Sequence, residues 1–352
     1  MPDETKKQPL VEVGKPVTTD FQLTLLRYNP SGTLLVGGGY VGQVHRWNAS
    51  GDSLVPLPPL QGHQGWVQGV AFHPAGKILY TADSWGRLCA WDIEAQSPSV
   101  RWQHPQAHPA WIRRLAVSPD GALLASCSSD GLVRTWASPT GQKRLDYQHP
   151  VDVLSLAFTP DSSALFLGDL HGEIHQLALE TGKDVRVLDA RKMYRLDRIQ
   201  DVGGVRCLEI DPTGKILAAG GCQPTSGAFV QGAGLLIFFD LATGKVRQSL
   251  DIGGTNDGFV YDLAWHRSGF VLAVLSGQPG TGKLIAHRVG ETQPWFTTTK
   301  MANCHSLALH PKQRRLVVAA TNAGSSGNGR VKTKDGIYPG NFSPIHQWEL
   351  PA

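Results

Sequence analysis

The sequence has few charged residues and little excess of either sign. Charged residues make up 18% of the 352 residues, and 33 Lys and Arg against 29 Asp and Glu leave a formal net charge of +4. A chain that attracts nucleic acid or anionic lipid through its overall field needs a larger basic excess. Net charge therefore points to neither partner.

Long apolar runs and paired cysteines are also missing. The longest apolar runs, residues 235–239 and 271–275, stop at five residues, whereas a membrane-spanning helix needs about 20. Five cysteines without a Cys-x-x-Cys pair argue against a disulfide framework or a zinc knuckle. Residues 1–13 lack the apolar core of a secretory signal. We therefore expect a cytoplasmic protein without membrane contact.

The sequence is rich in turn residues, and they recur at a regular spacing. Glycine (40) and proline (23) together exceed ordinary usage. Seven segments share an apolar residue, a spacer and then a turn residue, and their third positions are Pro30, Pro74, Pro119, Pro160, Pro212, Arg267 and Pro311. The steps between them are 44, 45, 41, 52, 55 and 44 residues. Such a period predicts a solenoid or a propeller.

A second pattern follows each copy of the first and consists of an apolar residue with a bulky residue three positions later. Its last positions are Trp47, Trp91, Trp136, Leu177, Phe239, His287 and Trp348. Around both patterns, apolar and polar residues alternate with period two and stop at Gly, Pro, Asn or Asp, as in strands and turns. We therefore predict an all-β fold.

Several segments resemble the signature of the WD40 repeat family. They are Gly62-His63, Trp91-Asp92 and residues 118–121 and 125–131. The resemblance covers nearly the whole chain, although the repeats are partly degenerate. In that family each repeat supplies a four-stranded blade, and seven commonly close into a ring. The resemblance implies a seven-bladed β-propeller.

We expect residues 1–352 to form a single propeller domain. Its blades are predicted at about residues 20–58, 64–103, 109–147, 150–188, 203–251, 258–298 and 302–350. The last repeat is one strand short, which would expose a strand edge. We assign about residues 10–14 as the outer strand that completes this last blade, because they alternate correctly and precede the first strand.

The resemblance also implies a structural set of hydrogen bonds that satisfies a buried imidazole and a buried indole. The third repeat has all four members, His108, Ser126, Asp130 and Trp136. The aspartate position holds Trp85 in the second repeat. Equivalent histidines, His63 and His149, precede two other blades. We therefore expect buried, hydrogen-bonded imidazoles at these positions and neither a metal nor a cofactor.

Insertions in the repeat point to one end of the ring. Strands of a blade are called a to d from the channel outwards, and the end that carries the d–a and b–c connections is called the loop rim. The insertions fall in these connections, at residues 189–204, 222–234, near 279 and at 321–341. Because loops concentrate binding residues, we expect function at the loop rim. The alternative is that these loops only cover degenerate blades.

Aromatic residues cluster at the same rim. Trp66 and Trp111 open strand a of adjacent blades, Phe259 opens it in the sixth, and Trp85 lies in a b–c turn. Such rings anchor proteins or peptides well, although packing is the alternative role.

The long connection at residues 189–201 adds charge to this rim. We assign to partner binding Arg191, Lys192, Tyr194 and Arg195. Further basic residues of this zone are Arg198, Arg330, Lys332 and Lys334. The zone is either a contact surface or a solvated face.

The predicted channel offers no catalytic constellation. Catalysis needs a nucleophile with a base, or carboxylates with a metal, and the strand a segments supply only Glu209, Asp262 and His305. The sequence therefore predicts a non-enzymatic scaffold, monomeric by itself, that binds a protein or peptide at the loop rim. One alternative is an enzyme or small-ligand site at the channel mouth, which arginines make basic. The other is nucleic-acid binding by the basic zone.

Overall fold

A computed structural model describes residues 9–94, 97–197, 199–225, 232–323, 325–326, 329–330 and 340–351, and only the backbone of 325–326 and 329–330. Two short strands come first, β1 (Val11–Glu12) and β2 (Val17–Thr18). Blade 1 contains β3 (Leu23–Tyr28), β4 (Leu34–Gly39), β5 (Val44–Asn48) and β6 (Val55–Leu60). Blade 2 contains β7 (Val67–Phe72), β8 (Ile78–Asp83), β9 (Leu88–Asp92) and β10 (Ser99–His104).

The next blades repeat this antiparallel order. Blade 3 contains β11 (Ile112–Val117), β12 (Leu123–Ser128), β13 (Leu132–Ala137) and β14 (Lys143–Gln148). Blade 4 contains β15 (Val153–Phe158), β16 (Ala164–Asp169), β17 (Glu173–Ala178) and β18 (Lys183–Asp189). A 3-10 turn, η1 (Arg191–Met193), and a hairpin of β19 (Tyr194–Asp197) and β20 (Gln200–Gly203) follow.

The remaining strands complete the ring. Blade 5 contains β21 (Cys207–Ile210), β22 (Ile216–Pro224), β23 (Gly232–Asp240) and β24 (Val246–Ile252). Blade 6 contains β25 (Phe259–His266), β26 (Phe270–Ser276), β27 (Lys283–His287) and β28 (Phe296–Thr298). Blade 7 contains β29 (Ser306–Leu309), β30 (Arg315–Ala319) and β33 (Pro344–Glu349), with a separate pair β31 (Ser325–Ser326) and β32 (Gly329–Arg330) in its b–c connection.

The N-terminal strands complete blade 7, as the sequence predicts. Val11 pairs with Glu349 and Glu12 with Trp348, while β2 pairs with the other end of β33. Leu10 is buried in the core shared by blades 6 and 7. The predicted all-β, seven-bladed propeller is confirmed.

The hydrophobic core is divided among the interfaces between blades. Seven clusters of buried side chains each combine residues from two neighbouring blades, including the interface between blades 7 and 1. The a–b turns pack as closely, because a Cβ on Gly121 would lie 2.6 Å from Nε2 of His73 in the preceding blade. Gly121 also has φ +74°, which favours glycine.

The five cysteines are buried free thiols. Among the described residues, no helix has the length and apolar character that crossing a membrane requires.

Candidate functional site

A β-bulge at the start of strand a recurs around the channel. In blade 2 Val67 pairs with Asp83 and Gly69 with Ala82, so Gln68 has no cross-strand partner. Blades 1, 3, 4 and 6 show the same one-residue shift. Bulges redirect side chains, and this one brings the bulged residue of strand a to the channel mouth at the loop rim.

Each of the seven blades contributes one residue from the start of strand a to a cavity of about 250 Å³. These residues are Thr24, Gln68, Arg113, Leu154, Arg206, Tyr261 and His305. Five of them are the bulged residues, and the residues of blades 5 and 7 directly precede β21 and β29. The cavity is also lined by Leu25, Tyr40, Trp111 and Arg114. Among the described residues, its wall contains three arginines and no carboxylate, and the mouth is therefore basic.

Two of these arginines, Arg113 and Arg206, differ in their partners. Arg113 forms an ion pair with Asp152 at 2.6 Å and lies 4.2 Å from the ring centre of Trp111. Arg206 lies 4.7 Å over the ring of Phe259, and in the described part of the chain its guanidinium donates one hydrogen bond, to a backbone carbonyl. Burial lowers the pKa of Arg206. Phe259 is only 5% exposed, so its ring supports Arg206 instead of facing solvent.

Aromatic rings extend from the mouth across blades 1 to 3. The centroid of Trp66 lies 5.1 Å from that of Tyr40 and 5.7 Å from that of Trp111, both in edge-on geometry. Trp66 is 44% exposed and Trp85 is 65% exposed. A Cβ on Gly65 would lie 2.9 Å from Cδ1 of Trp85, so glycine leaves room for this indole. We call Tyr40, Trp66, Trp85 and Trp111 the aromatic ladder.

Tyr40 was not among the residues predicted from the sequence, whereas arginines at the channel mouth were. The available signal for Tyr40 was its place in the b–c turn of blade 1, one residue before the position that Trp85 holds in blade 2. The signal for the channel mouth was one equivalent position near the start of each strand a. Alternation of apolar and polar residues assigns this position to a face of the blade, but it does not reveal the bulge.

The predicted basic connection forms the β19–β20 hairpin. Arg191 is paired with Asp189 at 2.8 Å, and the hydroxyl of Tyr194 donates to Asp201 at 2.7 Å. The ring of Tyr194 lies 4.7 Å from that of His171, in the b–c turn of blade 4. Exposed side chains are Lys192 in η1 and Arg195, Leu196 and Ile199 in the hairpin. Outside the described residues lie Arg198, Lys332, Lys334 and the side chain of Arg330.

Blade 2 contains a complete structural hydrogen-bond chain. The Nδ1 of His63 lies 2.9 Å from Oδ2 of Asp83, and its Nε2 lies 2.7 Å from Oγ1 of Thr81. The indole of Trp91 donates to the same hydroxyl at 2.7 Å. The aspartate here ends strand b, two residues before Trp85. Trp85 thus holds the position of Asp130, as the sequence indicates, and Asp83 supplies the carboxylate from two residues earlier.

In blade 3 the expected set is joined at three of its four members. Ser126 contacts Nε2 of His108 at 2.8 Å and accepts from the indole of Trp136 at 3.0 Å. Asp130 does not join them, because its Oδ1 accepts from the backbone N–H of Leu132. Its Oδ2 and Nδ1 of His108 have no hydrogen-bond partner among the described residues. The structure departs here from the expected complete set.

Blade 4 groups ligand-type side chains away from the channel. Ligand atoms of His149, Asp169 and His175 lie within 4.8 Å of one another, and the first two residues are buried. None of the three lines the channel cavities. The equivalent histidines are thus buried and hydrogen-bonded, and a second imidazole, that of His175, lies beside the histidine of blade 4.

The opposite mouth opens into a larger cavity of about 720 Å³. Arg27 and Asp262 form an ion pair in its wall at 2.7 Å. Glu209 is solvent-exposed inside this cavity. Confinement by the channel walls raises its pKa to about 7, with Arg27 opposing the shift and Asp262 adding to it.

Parts of the chain match a family model and several known proteins. The family model described as "WD domain, G-beta repeat" matches residues 54–92 and 101–137. Nuclear distribution protein PAC1 of Yarrowia lipolytica is 38% identical over 55 residues, which are 16% of this chain and 12% of that protein. Actin-interacting protein 1-2 of Arabidopsis thaliana is 33% identical over 82 residues, 22% of this chain and 14% of that protein.

A third relative matches a longer part of the chain. Periodic tryptophan protein 2 homolog of Schizosaccharomyces pombe is 25% identical over 173 residues, 49% of this chain and 15% of that protein. The chain thus matches only 12 to 15% of the length of these relatives. The chain therefore contains two repeats that match the WD40 model, and its fold is a β-propeller of seven blades, as in WD40-repeat proteins.

Proposed function

We propose that this propeller is a non-enzymatic scaffold that binds an acidic segment of another protein at the loop rim. The observation that carries the proposal is the aromatic ladder, which leads from solvent to a basic channel mouth. Indole and phenol rings supply large apolar contact area at a small cost in side-chain entropy, and they dominate many protein interfaces. The ladder provides the apolar contacts.

The charge of the mouth defines the partner. Arg206 has no carboxylate partner among the described residues, and burial already disfavours its charged form. A carboxylate from a partner would restore the lost solvation through charge-assisted hydrogen bonds. The guanidinium is held over Phe259. The site therefore favours a segment that places Asp or Glu in the mouth and apolar side chains along the ladder.

The β19–β20 hairpin supplies a second contact. Ile199 is 94% exposed and Leu196 59% exposed, beside the exposed Lys192 and Arg195. Two apolar side chains at a hairpin tip suit a shallow groove on a folded partner. Arg191, being paired with Asp189, contributes less free charge than the sequence analysis assumed.

Relatives support protein binding only as a class of function. The name of actin-interacting protein 1-2 records an interaction with actin for that protein. We propose binding of some protein here, in the cytoplasm, without carrying that partner over. An enzymatic site at the mouth has less support, because the ligand-type cluster lies inside blade 4.

The proposal is tested by selecting peptides from a random display library on the full chain and measuring their affinity. We expect selected peptides to be enriched in acidic and apolar residues. The double variant Trp66→Ala/Trp85→Ala should bind them at least about 10-fold more weakly, since each exposed ring removed costs about 1 kcal/mol or more. Arg206→Gln should weaken the acidic peptides selectively.

Val185→Ala is the matched control, because this exposed apolar residue lies on an outer strand, away from the ladder. Equal peptide affinity of the double variant and the control would refute the proposed contact between the aromatic ladder and the peptide. Retention of the wild-type chain on DNA that falls steeply with salt would instead favour nucleic-acid binding.

A further inference from the structure

We propose that blade 4 contains a structural Zn²⁺ site whose ligands are His149, Asp169, Glu173 and His175. The site is independent of the loop-rim function, and it differs from the sequence expectation that the chain binds no metal. Imidazole nitrogens and carboxylate oxygens are ordinary zinc ligands, and closed sites of four protein ligands are structural.

The ligand atoms already lie close together. Nε2 of His149 is 3.1 Å from Oδ2 of Asp169, and Nε2 of His175 is 3.4 Å from Oε2 of Glu173. Ligands about 2.0–2.2 Å from a tetrahedral ion are about 3.3–3.6 Å apart, so both distances resemble edges of such a site. The ligand atoms of His149, Asp169 and His175 all lie within 4.8 Å of one another, and side-chain rotation can shorten the longer separations.

Hydrogen bonding prepares His175 as a ligand. Its Nδ1 lies 2.8 Å from Oδ2 of Asp184, and a carboxylate only accepts, so the proton is on Nδ1. The hydroxyl of Tyr147 holds the other oxygen of Asp184 at 3.1 Å. This leaves a lone pair on the buried Nε2, which has no hydrogen-bond partner among the described residues and faces Glu173. A cation between the two resolves this contact, and a carboxylate behind the imidazole is the usual outer support of a metal-binding histidine.

Comparison of blades 2 and 4 shows how the repeat has changed. In blade 2 the two nitrogens of His63 contact Asp83 and Thr81. In blade 4 the residue equivalent to Thr81 is Leu167, so the imidazole of His149 keeps only its carboxylate partner and its Nδ1 is buried without a partner among the described residues. The hydroxyl of the structural set is lost in the same blade that gains a second imidazole.

The test uses the full chain, stripped of metal with a chelator and titrated with ZnCl₂. We expect one Zn²⁺ per chain by calorimetry and mass spectrometry, with MgCl₂ as the negative titration. His175→Gln should weaken zinc binding at least about 100-fold, since even loss of an outer partner costs about 10–100-fold. Asp184→Asn tests that outer partner directly and should weaken binding within this range.

Control variants keep the result interpretable if one substitution disturbs folding. His171→Gln changes an exposed imidazole of the same blade and should bind zinc as the wild type does. Glu173→Gln changes a partly exposed ligand and should weaken zinc binding at least about 10-fold while the chain stays folded. Absence of stoichiometric binding by the wild type would overturn the proposal, as would equal affinity in the His175→Gln and Glu173→Gln variants.

Discussion

The guanidinium of Arg27 in blade 1 holds both carboxylate oxygens of Asp262 in blade 6, at 2.7 and 3.0 Å. Ser306 of blade 7 donates to the same carboxylate at 2.8 Å. Burial would raise the pKa of Asp262, but the charges of Arg27 and Arg114 and these hydrogen bonds hold it below its ordinary value. The pair therefore joins three blades across the point where the ring closes.

Asp262→Asn should lower the free energy of unfolding by about 3 kcal/mol at pH 7, because it leaves a largely buried guanidinium without its counter-charge. Chemical denaturation measures the loss. Since the pKa of Asp262 is depressed on folding, its contribution is present above about pH 4 and is lost as the pH falls further. Arg101→Ala, in the exposed pair with Asp92, is the control and should cost less than about 1 kcal/mol. Similar losses in both variants would contradict the role of the pair.

Asp83→Asn and Asp130→Asn should differ sharply in how much they lower the free energy of unfolding. Asp83 bonds a buried imidazole in blade 2, so Asp83→Asn should cost about 2–3 kcal/mol. Among the described residues the side chain of Asp130 bonds the nearby backbone of Leu132 alone, and Asp130→Asn should cost less than about 1 kcal/mol. Urea denaturation of the two variants in parallel decides the matter. The reverse order would contradict a stronger role for the bond of Asp83 to His63 than for that of Asp130 to the backbone.

The N-terminal strand should contribute strongly to stability. Leu10→Ala removes a side chain that is 4% exposed and should cost about 2–5 kcal/mol. Val11→Ala, at a side chain 55% exposed, is the neighbouring control and should cost under about 1 kcal/mol. Deletion of residues 1–14 should lower the melting temperature more than either variant. An unchanged melting temperature after this deletion would show that β33 does not need its outer partner.

Glu209 should make stability fall as the pH rises. Its pKa increases from 4.5 to about 7 on folding, so between these values the folded chain binds more protons than the unfolded chain. Stability therefore declines from about pH 4.5 to pH 7, and Glu209→Gln should remove this decline. The gain at pH 8 should be on the order of 1 kcal/mol or less, because channel water screens the charge. Thermal unfolding at pH 5 and pH 8 measures it, and parallel curves for variant and wild type would contradict the shift.

The repeat predicted the architecture well because each blade must bury the same faces. Period-two alternation and the two repeated patterns were enough for seven blades, and the unpaired edge of the last repeat was enough for the N-terminal strand. These features depend on local chemistry that recurs along the chain, and the structure confirms them.

Features that depend on contacts between blades escaped the sequence. Phe259 and Trp66 occupy equivalent positions at the start of strand a. Arg206 from the preceding blade covers the ring of Phe259, whereas Trp66 is 44% exposed. The bulge that directs Arg113 to the channel mouth is a shift in pairing that alternation does not reveal. Likewise, Asp83 takes its histidine partner because of the local turn, two positions away from where the family pattern places the aspartate.

Pairing of β1 with β33 also constrains the order of events during synthesis. Val11 must wait until Glu349 has left the ribosome before it finds its partner. Contacts so distant in sequence form slowly. In the interval, β33 and the nascent blade 7 present an open strand edge, which is the kind of surface that invites aggregation and chaperone binding.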